Sequence, residues 1–229
     1  MKNNKIATLF ENQDLYLLSL THRSWVNENS GQRGTNERLE FLGDAVLEFI
    51  VSKHIYEQFT DKEEGFLTSL RANLVNTKNL SEVAKRLNLG QEIFLSKGEE
   101  DGGGRENASL LADTVEAIIG ALFLDSGIES AEKFVVENIL IDTEKVAKRP
   151  LKDPKSLLQE KVQAMNLPAP KYQVADEKGP DHNKEFIVEV LIDNKVEAKG
   201  YGKSKSEAEQ QAATNALTSY CGIDLNNIK

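Results

Sequence analysis

The chain has 229 residues, 39% hydrophobic and 28% charged, with 28 basic against 37 acidic side chains and a formal charge of −9. Its one cysteine, Cys221, excludes an internal disulfide framework and a cysteine-rich zinc site. No apolar run approaches the roughly 18 residues of a membrane-spanning helix. The opening stretch MKNNKIATLFENQDLYLL lacks the long apolar segment and cleavage site of a signal peptide. A soluble, cytoplasmic protein without membrane association is therefore expected. The acidic total by itself disfavours a nucleic-acid partner.

In chain order, the pattern up to about residue 150 is helical nearly throughout. The segment NERLEFLGDAVLEFIV (Asn36–Val51) reads as a helix with Leu39, Leu42, Val46, Phe49 and Ile50 on one core-facing stripe. Glu37, Glu40, Asp44 and Glu48 fall together on the opposite face, at spacings that make them neighbours. Phe41 and Leu47 flank the acidic stripe, and Gly43 sits mid-helix at a cost of about 1 kcal/mol relative to alanine. Both features fit a surface against which something packs closely. A solvated acidic face remains the plainer reading of such a row taken alone. Lys97 to Asn107, with three consecutive glycines, reads as the most flexible internal segment.

Ser109–Gly127 (SLLADTVEAIIGALFLDSG) is a second helix. Leu111, Val115, Ile118, Ile119 and Leu122 form its core stripe, and Asp113 and Glu116 point away among Ala112, Ala117 and Gly120. Such small neighbours let a ligand or another backbone approach the two carboxylates. Two helices packed side by side would let Glu40, Asp44, Asp113 and Glu116 converge. An all-carboxylate ligand set suits Mg²⁺ or Mn²⁺ and not zinc. It points to phosphodiester hydrolysis by metal-activated water. His22, His54 and His182 are too dispersed in sequence to suggest a catalytic cluster, and His54 reads as structural or surface.

Two prolines, Pro150 and Pro154, with basic residues around them mark a seam. The acidity lies before it: residues 1–150 carry 17 basic and 25 acidic side chains, and residues 151–229 carry 11 and 12. After the seam the order is α-β-β-β-α. Asp153 caps a helix that begins at Pro154 and runs to about Asn166. Strands are expected at Lys171–Glu177, Lys184–Ile192 and Lys195–Gly200, with Phe186, Val188, Val190 and Ile192 alternating inward and a tight hairpin at Asp193-Asn194. Ser204 caps a last helix, Lys205 to about Tyr220, with Glu207 in the capping-box position and an alanine-rich face for the sheet.

These residues resemble the ribonuclease III family. NERLEFLGDAVL looks like its signature, and THRSW (Thr21–Trp25), EEGFLTSLRANLV (Glu63–Val75) and GEEDGGGRENASLLADTVEAIIGAL (Gly98–Leu122) follow in the family's order. The resemblance spans essentially the whole chain. It implies an all-α endonuclease domain (1–147), a linker (148–153), an α+β double-stranded RNA-binding domain (154–222) and a short tail (223–229). The implied activity is a homodimeric, Mg²⁺-dependent double-strand-specific endoribonuclease, with Mn²⁺ able to substitute and no organic cofactor. It would leave 5′-phosphate and 3′-hydroxyl ends with short 3′ overhangs on ribosomal and other structured RNA precursors.

Carried over by position, Glu40, Asp44, Asp113 and Glu116 are the metal-binding carboxylates, with Asp44 and Glu116 also catalytic. Glu37 and Glu64 match supporting cleft acids, and Phe41 an aromatic that enters the partner subunit. In the second domain Gln159, Gln163, His182, Lys203 and Lys205 match RNA contacts, the two lysines at a helix N-terminus that favours phosphate. Ser206 stands where the family usually has a further lysine, which should weaken binding. A non-catalytic RNA-binding relative is the alternative, and it should lack one of the four carboxylates. A helical dimer module with an acidic scaffold surface is blander still, and the three RNA-contact regions count against it.

Overall fold

The computed structural model describes residues 6–179 and 184–223. The chain forms two compact units, Met1–Val146 and Ala147–Lys229.

The first unit is helical: α1 (Gln13–Ser19), α2 (Arg23–Glu28), α3 (Glu37–Gln58), α4 (Glu64–Val75), α5 (Thr77–Arg86), α6 (Lys97–Asp101), α7 (Ala108–Asn138) and α8 (Thr143–Ala147). Polar side chains start several of them. Asn12, Asn76, Ser96 and Asn107 each accept a bond from a backbone N–H in the first turn. The centre is α7, which is buried at every position from Leu111 to Leu122 except Asp113 and Glu116. It breaks its helical geometry at Gly127, where φ is 83°. α3 and α5 pack on α7, and α4 packs on α3.

The α3–α7 contact is made backbone to backbone. A Cβ placed on Gly43 would lie 1.7 Å from the Glu116 carbonyl oxygen, and one on Gly120 would lie 2.2 Å from that of Leu39. This contact turns the buried face of α3 away from the one expected. Leu39, Gly43, Val46, Leu47, Ile50 and Val51 are buried. Leu47 is thus a core residue and not a flanking one, while Phe49 is exposed. The periodicity of large apolar side chains places the face by its bulkiest members. Here it is centred on a glycine.

The Lys97–Asn107 segment also departs from expectation. It holds α6 and a 3-10 turn at Gly104–Glu106. The Arg105 guanidinium donates to the carbonyls of Gly90 (2.7 Å) and Ile93 (3.2 Å) and pairs with Glu100 (2.7 Å).

The second unit runs α9 (Pro154–Ala164), β1 (Lys171–Lys178), β2 (Glu185–Ile192), β3 (Lys195–Gly202) and α10 (Lys205–Ser219), within two residues of the expected ends. The antiparallel sheet has the order β1-β2-β3. Asp193 and Asn194, with φ of 49° and 62°, close the β2–β3 hairpin in the left-handed conformation that a two-residue turn requires. Leu158 and Val162 of α9, Val190 and Ile192 of β2, and Ala212 and Leu217 of α10 form its core. Ser204 accepts from the Glu207 N–H at 3.2 Å, and the Glu207 carboxylate accepts from the Lys203 N–H at 2.7 Å.

Gly43→Ala is expected to force α3 from α7 and to destabilise the protein by at least the ~1–3 kcal/mol of an overpacked core. Denaturant unfolding of the variant measures this; unchanged stability would contradict the packing described.

Candidate metal centre

The glycine contact sets the chemistry beside it. On α7, Glu116 and Asp113 lie one and two turns before Gly120. On α3, Glu40 precedes Gly43 by three residues and Asp44 follows it. Carboxylate oxygens of Glu40, Asp113 and Glu116 all lie within 4.8 Å of one another. Asp44 stands outside this triad and is exposed, yet it is the strongest charge acting on Glu116.

Three half-buried carboxylates at this spacing cannot all ionise cheaply. Burial, followed by the charges of Asp44, Asp113 and Glu40, pushes Glu116 up to about 8. Burial, then Asp113, Glu37 and Asp44, raises Glu40. Burial raises Asp113, with His22 opposing it. Among the described residues no Lys or Arg pairs with any of the four acids, whereas Arg23 reaches Glu37 (3.6 Å) and Arg71 reaches Glu48 (2.8 Å). The donor set is therefore an uncompensated, oxygen-only cluster, which fits a hard divalent cation.

His22 is the neighbour that sequence reasoning set aside. It caps α2, its Nδ1 accepting from the Ser24 N–H at 3.3 Å and lying 2.8 Å from Ser24 Oγ. No spacing rule links it to Asp113. Only its place in Thr21–Trp25 pointed towards it.

Of the supporting acids, Glu37 is exposed, accepts from Thr35 Oγ1 at 2.9 Å, and adds to the field on Glu40. Glu64 is exposed in the first turn of α4 and is not among the charges acting on Glu40 or Glu116. The structure does not bring it to the cluster within this chain. Phe41 is 81% exposed. Beside it runs a groove of about 860 Å³ lined by residues that include Leu15, Leu18, Leu39, Leu42 and Leu124.

In the second unit Gln159 and Gln163 are exposed one turn apart on α9, and Lys203 and Lys205 are exposed at the start of α10 with Ser206. His182 lies outside the described residues.

Residues 12–143 match a family described as Ribonuclease-III-like, and residues 154–220 match the double-stranded RNA binding motif. The chain is 47% identical over 216 residues to Ribonuclease 3 of Desulforamulus reducens, covering 93% of this chain and 87% of that protein. It is 41% identical over 215 residues to Ribonuclease 3 of Caldanaerobacter subterraneus subsp. tengcongensis, covering 93% and 94%. Among solved structures, the nuclease domain of ribonuclease III from Campylobacter jejuni matches with a TM-score of 0.55 at 42% identity, covering 61% of this chain and 95% of that one. A second structure of that domain, described by flexibility in a region involved in dimer formation, matches with a TM-score of 0.54 at 41% identity, covering 60% and 98%.

The raised Glu116 has a signed consequence. Between its ordinary value of 4.5 and about 8, the folded protein holds a proton that the unfolded chain has lost. Metal-free stability should therefore fall as pH rises through that window. Thermal melting in chelator from pH 5 to 8 should show the decline, and Glu116→Gln should flatten it. A wild-type melting temperature that rises across this range would contradict the assignment.

Proposed function

The chain belongs to the ribonuclease III family and is a double-strand-specific endoribonuclease, and from that premise we propose which of its residues do the work. Glu40, Asp44, Asp113 and Glu116 hold Mg²⁺, for which Mn²⁺ can substitute. The observation that carries this is the meeting of three carboxylates from two helices in a chain that also has a double-stranded RNA-binding domain. When bound, the metal would supply positive charge to the scissile phosphodiester and activate the attacking water.

The protein's own part is to aim those oxygens. The backbone contact of α3 with α7 leaves Glu40, Asp113 and Glu116 little freedom to separate. A bound cation would take the place of the Glu116 proton, which would couple metal binding to pH. Asp44 is more exposed than the triad and open to solvent beside it. Glu37 adds negative potential beside Glu40, and Glu64 serves as a further supporting acid of the cleft.

Homodimer formation through Phe41 completes the reading. A phenylalanine left this exposed next to an apolar groove has the shape of a plug beside a socket, and a two-fold related copy would fill both. The structural relative from Campylobacter jejuni is itself described in terms of dimer formation. Each subunit would cut one strand, leaving 5′-phosphate and 3′-hydroxyl ends with short 3′ overhangs, in ribosomal and other structured precursors in the cytoplasm. Residues 1–147 serve as the nuclease domain and 154–222 as the RNA-binding domain, joined by 148–153, with a tail at 223–229. Gln159, Gln163, His182, Lys203 and Lys205 contact the duplex.

Two measurements test this. Glu116→Gln should lower cleavage of a plain RNA duplex in Mg²⁺ by about a thousandfold or more, several kcal/mol of transition-state stabilisation, while binding persists. A nucleotide-resolution gel reads activity, end chemistry and overhang together; absence of cutting by wild type in both Mg²⁺ and Mn²⁺ would refute the metal assignment. Phe41→Asp should shift the protein to monomer in sedimentation and lose cleavage with it. A variant that stays dimeric would remove Phe41 from the interface.

A further inference from the structure

Lys205, at the start of α10, already has an anion. Its Nζ lies 3.3 Å from Glu177 Oε1 on β1, and its ammonium stands 5.6 Å from the ring centre of Phe186 on β2. The other Glu177 oxygen, Oε2, lies 3.7 Å from Lys184 Nζ. One carboxylate thus bridges the end of the sheet to the first turn of the last helix, where the dipole and the N–H groups also favour negative charge.

The placement depends on a local irregularity. β1 pairs Val174 with Val188 but Glu177 with Phe186, because the register shifts between Val174 and Asp176. Without that bulge, Glu177 would stand opposite Glu185. Residues directly opposite in an antiparallel pair share a face. Phe186 shares the face of Val188, Val190 and Ile192, which α10 covers. The bulge therefore turns Glu177 from the open face of the sheet to the face that carries Lys205.

We propose that Glu177 acts as an internal stand-in for an RNA phosphate, holding Lys205 in the free protein and lowering duplex affinity because the pair must open on binding. This rests on the reading of Lys205 as a phosphate contact. A carboxylate and a phosphate oxygen are like acceptors for the same ammonium. Both partners are well exposed, so the pair is weak enough to exchange without a change of fold. Glu177 is then an affinity-determining residue that never touches RNA.

The test is a double-mutant cycle on the full chain, with a labelled RNA duplex of about two helical turns and no divalent metal, titrated over a range of KCl concentrations. That length covers the ~16 base pairs such a domain spans. Glu177→Gln, which keeps the side chain's shape, should tighten Kd about two- to fivefold. It should also steepen the salt slope by up to about 1. In the Lys205→Ala background the same change should give no gain. If Lys205→Ala alone weakens binding but Glu177→Gln does not tighten it, or tightens it equally with Lys205 absent, the inference is wrong and the RNA surface stands. If Lys205→Ala alone leaves Kd and salt slope unchanged, Lys205 is no phosphate contact, and the inference falls with that assignment.

Discussion

The close crossing of α3 and α7 at Gly43 and Gly120 is the constraint on which the site depends. The opposing carbonyls leave no room for a Cβ on either residue. At about 100° per residue, Glu40 and Asp44 lie roughly 60° and 100° round α3 from Gly43, on the same side. On the same measure Glu116 and Asp113 lie within about 40° of the Gly120 direction on α7. Drawing the two helices together at their glycines therefore also draws the carboxylates together. Packing and site geometry are one interaction, and a side chain at the crossing would cost both.

That interaction opposes the electrostatics. Acids held this close repel one another, and burial removes the water that would screen them. The nearby arginines do not relieve it: Arg23 and Arg71 pair with the peripheral Glu37 and Glu48. Glu116 answers by keeping its proton to about 8. The hydrophobic core of α7 and the glycine crossing hold the acids in place against this repulsion. The unrelieved charge suits the cluster to a divalent cation, since a cation would remove a penalty already present in the metal-free fold.

Much of this was legible from side-chain pattern. The stripe Leu111, Val115, Ile118, Ile119 and Leu122 is buried as its periodicity requires, and Asp113 and Glu116 are the positions left open. The three strands, the Asp193-Asn194 turn and the Ser204 cap followed from local chemistry. Three things did not. The buried arc of α3 is set by a backbone contact, and hydrophobic periodicity registers only side chains; hence Leu47 and Phe49 exchanged places. The glycines at 102–104 suggested mobility, but what organises that segment is Arg105 reaching carbonyls 12 and 15 residues earlier in the chain. His22 lies in the field of Asp113 through the tertiary fold, which no short-range spacing encodes.

The charge of the chain looks unsuited to a polyanion, and its distribution shows why the total misleads. The excess of acid lies before residue 151, where the carboxylate cluster sits, and the RNA-binding unit is close to balanced. Within that unit many cations are already engaged: Lys152 with Glu160, Lys155 with Glu209, Lys199 with Glu189 (2.8 Å), and Lys184 and Lys205 with Glu177. On the proposed reading of Lys205 as a phosphate contact, an arriving phosphate meets a lysine already partnered, so binding at that position is an exchange of one anion for another and not a simple neutralisation. Exchange yields less free energy per contact than pairing with a bare ammonium, because the internal ion pair must first be broken. Affinity then depends on how readily each internal pair opens as well as on the number of lysines. A domain built this way can hold a duplex by shape while keeping the charge-driven part of its binding modest.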